Sequence, residues 1–248
     1  MPDRTLFGGH LIERLVGVVD GPLVPVENGS EARWARDATG RQWVRKREAD
    51  TGFQPLLAEA ASFILGQHLG VPQPWGAVFH DGAEWSWMSE RIAAAGEHWE
   101  PDMRDLVANI DELGRVLALD AIVFNEDRHR RNLLVEAIGD EAHLKVWAID
   151  AGKAEIGWPG DFIGRGLAAP SPHNHARGLP VGALVEPALA AAAVAAALPE
   201  GTLHTLVLEA CDLAREPAAP ALGDALVTRC RRAPEIVARY LEALGGHR

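Results

Sequence analysis

The feature that most restricts the architecture of this chain is a change of periodicity near Arg91. Before it, short apolar or alternating segments at 12–19, 32–36, 42–47, 74–79 and 84–88 are separated by turn signals: Glu27-Asn28-Gly29-Ser30, Ala38-Thr39-Gly40 and His80-Asp81-Gly82-Ala83. Patterning of this kind predicts strands. One helix interrupts them, PLLAEAASFILGQHL at 55–69, which stops at Gly70 with Pro72 just beyond. After Arg91 the pattern is mostly helical, beginning with a long predicted helix at 105–124. The exception is 159–180, PGDFIGRGLAAPSPHNHARGLP, which is rich in Gly, Pro and His and too long for an ordinary connection; such loops are usually functional or mobile. The alanine-rich run at 188–198 reads as a tightly packed or exposed helix. The expected organisation is therefore α+β, with a β-rich unit at 1–92 and a mainly helical one at 93–248. At 248 residues and 48% hydrophobic, the chain is large enough to bury a core as one domain or two close-packed lobes.

The chemistry concentrates in 125–152, NEDRHRRNLLVEAIGDEAHLKVWAIDAG. Asp127 is followed five positions later by Asn132 and the apolar LLV, and a second apolar run, VWAI, ends at Asp150. This predicts a β-hairpin with Asn132 and Asp150 at adjacent ends and Asp127 on the loop before it. Carboxylate and amide oxygens are the hard donors Mg2+ requires when it is held against a nucleoside triphosphate. The D-x-x-x-x-N step matches the kinase catalytic loop, where the Asp accepts the acceptor's hydroxyl proton and the Asn holds metal. Upstream, Lys46 ends the strand RQWVRK and Glu59 lies in the helix that follows, the pairing that positions α- and β-phosphates in kinases. Lys46, Lys145 and Lys153 are the only lysines, which makes each more informative.

Gly29 and Ser30 lie where a phosphate-covering hairpin would be. Glycine allows close backbone approach, and the Ser30 hydroxyl can meet a phosphate oxygen, although a plain turn explains the same residues. His129 competes with Asp127 for the role of proton acceptor. Arg128, Arg130 and Arg131 are candidates for an anionic acceptor or for nucleotide phosphates, or for pairing with acids such as Glu126. His173-Asn174-His175 is too poor in ligands for a metal site and reads as a polar loop placed to meet an acceptor. Trp34, Trp43, Trp75, Trp85 and Trp87 fall in the β-rich half, where burial is the default.

A net charge of −11 argues against a nucleic-acid partner, which calls for a basic face, and against stable docking on an anionic membrane. Cys211 and Cys230 read as reduced core thiols. The start, MPDRTLFGGHLIERL, lacks a signal-peptide pattern, and the longest apolar run falls short of a membrane span. A cytoplasmic location is expected.

The DRHxxN…ID pattern of Asp127-Arg128-His129, Asn132 and Ile149-Asp150 resembles the catalytic segment of phosphatidylinositol 3- and 4-kinases and of HipA-like kinases. WVRK followed by LLAEAASFILGQHLGVPQP likewise resembles the HipA-like strand lysine, helix glutamate and LG-x-P-x-P exit, and the likeness spans roughly residues 28–155. It implies a bilobal protein-kinase-like fold, with a β-rich N-lobe carrying one helix and a mainly helical C-lobe. ATP would bind between the lobes with magnesium as cofactor. It further implies that Lys46 contacts phosphates, Glu59 orients it, Asp127 is the base, and Asn132 and Asp150 hold metal. Residues 88–93, MSERIA, would form the hinge, where backbone groups at Glu90 and Ile92 meet adenine. Ala151 stands where many kinases place Phe, and no conventional glycine-rich loop is present. The expected activity is transfer of the γ-phosphoryl group of ATP to a hydroxyl acceptor. A protein or peptide Ser/Thr is preferred to a small molecule on family grounds, and an inositol lipid ranks third. A nucleotide-binding module without turnover and a nucleotidyl transferase are the alternatives.

Overall fold

Residues 10–24, 32–52, 54–92, 95–139, 143–172 and 179–246 are described in the structure, a computed structural model of the chain. The chain opens with strands β1 (Glu13–Leu15), β2 (Val19–Leu23), β3 (Arg33–Arg36) and β4 (Gln42–Lys46). Helices α1 (Glu48–Thr51) and α2 (Leu56–Leu69) and strands β5 (Gly76–His80) and β6 (Trp85–Glu90) follow. The six strands form one sheet in the order β1-β5-β6-β4-β3-β2, antiparallel except where β1 runs parallel to β5. The strand expected at 12–19 divides into β1 and β2 because Gly17 between them adopts φ +64.

Helix α2 is built from Ala and Leu, which favour helices. It ends where Gly70 takes φ 66 and the Val71 N–H closes onto the Gly66 carbonyl at 2.9 Å. It is apolar all round, as suits a helix enclosed on every side. Phe63 meets Trp75 and Trp87 edge-on, at 5.7 and 5.5 Å, on the side facing the sheet, while other faces of the helix pack against the helical lobe.

Beyond β6 the chain enters a second, antiparallel sheet of β7 (Ala95–His98), β8 (Leu133–Ile138) and β9 (His143–Ala148). The remaining helices are α3 (Glu112–Val123), α4 (Pro159–Arg165), α5 (Val181–Ala197), α6 (Glu200–Ala214), α7 (Ala219–Arg231) and α8 (Ala233–Gly246). A sheet lobe carrying α2 and a mainly helical lobe give the α+β, bilobal arrangement. The backbone joins them at the rear: the Ala148 N–H, at the end of β9, donates to the Pro72 carbonyl, just past α2, at 2.6 Å.

Two sequence expectations are corrected. The helix expected at 105–124 begins only at Glu112, because the preceding residues satisfy their polar groups on β9 instead. Val107 bridges to Leu144, the Ala108 N–H reaches the Leu144 carbonyl at 2.8 Å, and the Asn109 amide bonds both the N–H and the carbonyl of Val146 at 2.8 and 2.9 Å. The 159–180 stretch is not wholly loop, since Pro159 opens helix α4 at a position where its missing N–H costs nothing. His173, Asn174 and His175 lie outside the described residues.

The alanine-rich run belongs to α5, with Ala188, Ala191, Ala192 and Ala195 buried. Their small size lets α5 cross α3 at Gly114, where an added Cβ would come within 2.7 Å of the Leu184 carbonyl oxygen. Cys211 and Cys230 are buried and unbridged, and burial pushes both thiols up to about 12. Among the described residues no single helix is long and apolar enough to cross a membrane.

Candidate functional site

Strand alternation puts Val44 and Lys46 on one face of the first sheet. Their cross-strand partners Trp34, Ser89 and Trp87 share that face. This face roofs a narrow cleft of about 30 Å³ lined by Glu59, Phe63, Trp87, Leu119, Arg128 and Asp150. Lys46 Nζ donates to Glu59 Oε1 at 2.5 Å and to Asp150 Oδ1 at 2.8 Å. The other oxygen of Glu59 accepts the Ala151 N–H at 3.2 Å. One carboxylate of α2 thus holds both the strand lysine and the backbone after β9. Lys46 and Glu59 are nearly enclosed, whereas the Asp150 side chain is 29% exposed, which makes it the member open to the cleft.

Burial works against the Lys46 ammonium, but the charges of Asp150 and Glu59 outweigh it and hold the ammonium above its ordinary range. Burial would likewise raise Asp150. The charge and hydrogen bond of Lys46, with Arg128 and Lys153 behind it, instead keep that carboxyl below the usual value. Glu59 is raised, by burial first, and Lys46 only partly offsets this.

Asp150 has φ 58, a left-handed conformation that costs a residue with a side chain about 1–3 kcal/mol. Bonds on both sides impose it: Ile149 N–H to the Asn132 carbonyl at 3.0 Å, and Ala151 N–H to Glu59. Gly152 follows because the turn passes close to α2, where an added Cβ would stand 3.2 Å from Pro55 Cβ and 3.4 Å from Glu59 Oε1.

The hairpin expected around Asn132 and Asp150 is present. Leu133 pairs with Ala148, so the two residues stand at its adjacent open ends. Asn132 Nδ2 donates to the Asp127 carbonyl at 3.0 Å, which leaves Oδ1 for another partner. The Asp127 N–H is held by Asn125 Oδ1 at 3.1 Å, and Lys153 Nζ lies 3.3 Å from Asp127 Oδ2. His129 is half-buried with its Nδ1 shut off from solvent. Among the described residues no group of three or more His, Cys, Asp or Glu side chains could hold a metal. A divalent cation beside Asp150 and Asn132 would complete its shell with phosphate oxygens and water, a donor set that fits magnesium.

Arg128 does not face a ligand. It is buried, donating to Asp120 at 2.9 and 3.1 Å and to the carbonyls of Asn132 and Ile149 at 3.1 and 2.6 Å. The signal for this was a lone acid inside the apolar run LALDAIV. Arg130 pairs with Glu100 at 2.6 Å, and Glu126 accepts the Ser171 N–H at 2.8 Å instead of meeting an arginine. At the end of β6, the N–H groups of Glu90 and Arg91 are spent on the carbonyls of Trp75 and Gln42, and Ile92 follows, half-buried. Gly29 and Ser30 lie outside the described residues. Trp43 and Trp87 are buried, as expected of tryptophans in the sheet. Trp34 is only half-buried, with the Arg91 guanidinium 4.7 Å from its ring centroid, beside a second groove of about 530 Å³.

The chain is similar in structure to the Helicobacter pylori proinflammatory kinase CtkA, with a TM-score of 0.58 and 9% identity over 95% of this chain and 99% of that one. Weaker similarity extends to HipA of Shewanella oneidensis MR-1, in its complex with HipB and operator DNA, with a TM-score of 0.44 and 12% identity over 92% and 66% of the two chains. It extends also to the Rio2 kinase of Chaetomium thermophilum, in its ADP/Mg2+-phosphoaspartate complex, with a TM-score of 0.39 and 15% identity over 94% and 71%. The likeness to CtkA runs through nearly the whole of both chains and shows a protein-kinase-like fold. No family model and no curated protein matches the sequence.

Proposed function

We propose that this chain is a HipA-like, Mg-ATP-dependent phosphotransferase that moves the γ-phosphoryl group of ATP to a hydroxyl acceptor, with a Ser or Thr of a protein or peptide preferred. The observation that carries this is Lys46 held between Glu59 and Asp150 at the cleft, with Asn132 beside Asp150 at the end of the same hairpin. Two carboxylates and an ammonium taken out of water stabilise a fold less well than apolar side chains of similar volume. Charge retained here speaks for a task at the cleft.

In this reading ATP lies between a lobe of residues 1–92 and one of residues 93–248. Lys46 donates to its α- and β-phosphates and Glu59 keeps the lysine in place. The Glu90 carbonyl and Ile92 meet adenine, and Gly29 and Ser30 close over the phosphates. Asp150 and Oδ1 of Asn132 would hold magnesium, which would supply charge neutralisation on the phosphate oxygens. Asp127 takes the acceptor's hydroxyl proton as that oxygen bonds to the γ-phosphorus. The bond from phosphorus to the β–γ bridging oxygen breaks, and ADP leaves with the electron pair. His129, two residues on, is the competing acceptor for that proton. Most of the acceleration comes from positioning and charge, since phosphoryl transfer needs little covalent help. The acidic chain has neither nucleic acid nor membrane as a partner in this account, and it works in the cytoplasm.

The test is Asp150→Asn assayed with γ-labelled Mg-ATP on the protein alone and in extract. Loss of label transfer, with the unfolding midpoint of the nucleotide-free protein retained, is expected. Undiminished transfer would sink the assignment, and the mass of the product separates phosphoryl from nucleotidyl transfer.

A further inference from the structure

On the phosphotransferase reading above, we propose that Lys153 is the cation that meets the transferring phosphoryl group, and that its contact with Asp127 is the resting position from which it is released.

The γ-phosphoryl spreads its charge over three equatorial oxygens during transfer, and most cations around the cleft are already committed elsewhere. Lys46 is clamped by two carboxylates on a largely enclosed stem. Arg128 spends its guanidinium on Asp120 and two carbonyls. Arg130 is drawn off to Glu100, and Arg165 holds Glu155 with two hydrogen bonds at 2.7 and 2.6 Å. Lys153 differs: its side chain is 50% exposed, and its ion pair is with Asp127.

The backbone aims it there. Lys153 sits in a turn closed by the Ala154 N–H on the Ala151 carbonyl at 2.9 Å. On one side of that turn the Ala151 N–H is bound by Glu59, and on the other the Glu155 N–H donates to the Phe124 carbonyl at 3.0 Å. Phe124 stands three residues before Asp127, so the segment carrying Lys153 is pinned to the chain that carries Asp127. What remains free to move is the side chain.

An ammonium 3.3 Å from Asp127 Oδ2 occupies the carboxylate that has to receive the acceptor's proton. In the productive complex it must give up that oxygen. The anion within reach is then the γ-phosphoryl, because the acceptor oxygen alone separates it from Asp127. A half-exposed ion pair is weak, so its release costs little. Lysine suits an exchange of partners better than arginine does, being a compact charge on a flexible stem and not a rigid fork. Lys153 also lies close enough to Asp150 to add, behind Lys46 and Arg128, to the field that keeps that carboxyl ionised.

The experiment compares binding of Mg-ADP with binding of Mg and the non-hydrolysable β,γ-imido analogue of ATP, in wild type, Lys153→Met and Lys153→Arg. Wild type should bind the analogue more tightly than ADP. Lys153→Met should lose about tenfold in analogue affinity, the scale of one charge-assisted hydrogen bond, with ADP affinity and the nucleotide-free unfolding midpoint unchanged. Lys153→Arg should recover most of the loss. If Lys153→Met keeps the wild-type ratio, or weakens both nucleotides alike as a merely structural role would, Lys153 does not touch the γ-phosphoryl and the phosphotransferase reading stands without it. Wild-type protein that binds neither nucleotide overturns both.

Discussion

The Arg128 guanidinium grips Asp120 through two hydrogen bonds, at 2.9 and 3.1 Å, where both side chains are shut off from solvent. With its remaining reach it takes the carbonyls of Asn132 and Ile149, one at each open end of the hairpin that presents Asn132 and Asp150. Asn125 joins the same carboxylate at 2.8 Å and passes the constraint to the Asp127 N–H. A single buried ion pair under the cleft therefore sets the backbone of Asp127, Asn132 and Asp150 together.

Removing one partner of that pair should cost far more than removing both. Arg128→Met leaves the Asp120 charge without its cation in the interior, a change on the order of 3–5 kcal/mol, read as a lower urea midpoint. Arg128→Lys should not rescue it, because an ammonium cannot reproduce the forked contact. Replacing both residues by apolar ones of similar size should restore much of the stability while label transfer from ATP stays lost. Wild-type stability in Arg128→Met would remove the pair from its proposed place.

Gly114→Ala tests the contact between α3 and α5. The new methyl would lie 2.7 Å from the Leu184 carbonyl oxygen and 2.8 Å from the Ala188 nitrogen, and neither backbone atom can swing aside. The expected loss is about 1–3 kcal/mol, the usual range for overpacking, measured by denaturant unfolding.

These two sites mark the limits of what the sequence reveals. Lys46, Glu59 and Asp150 are distant in the chain, yet the strand, helix and hairpin patterns around them foreshadow their meeting, because local periodicity fixes each element. For Arg128 the sequence leaves a phosphate and an acid as equal partners, because the acid it meets lies eight residues back inside a helix, and an arginine in a polar loop looks solvated until burial is known. Val107 and Asn109 mislead for a similar reason: their helical spacing is real, but the β9 edge offers their backbone and amide better partners. The value of Gly114 depends on α5, some 70 residues later, and no short-range pattern carries it.

Asp81 gives a pH dependence with a defined sign. Its carboxylate accepts the N–H groups of Glu84 and Ala83 at 3.1 and 3.0 Å and the Arg45 guanidinium at 2.8 Å, and these, the backbone bonds foremost, lower its pKa from 3.8 to about 2. The folded state thus favours the ionised form more than the unfolded chain does. Its contribution is complete above pH 3.8 and fades as the pH falls towards about 2. Asp81→Asn should accordingly be less stable than wild type at neutral pH, and the gap should close across that acid window when unfolding midpoints are compared. A gap that stays constant with pH would show that Asp81 acts by shape alone.

The bond from Ala148 to the Pro72 carbonyl makes the rear of the cleft a fixed spine. Swinging the two lobes apart would break it, along with the tie from Glu59 to Ala151. By contrast, β2 is the outermost strand of its sheet, hydrogen-bonded along one side to β3. Lifting that edge breaks its ladder to β3 and the ion pair from Asp20 to Arg45 at 3.0 Å. The two lobes are thus tied through the backbone, while the far margin of the sheet hangs on one strand ladder and on side-chain ion pairs.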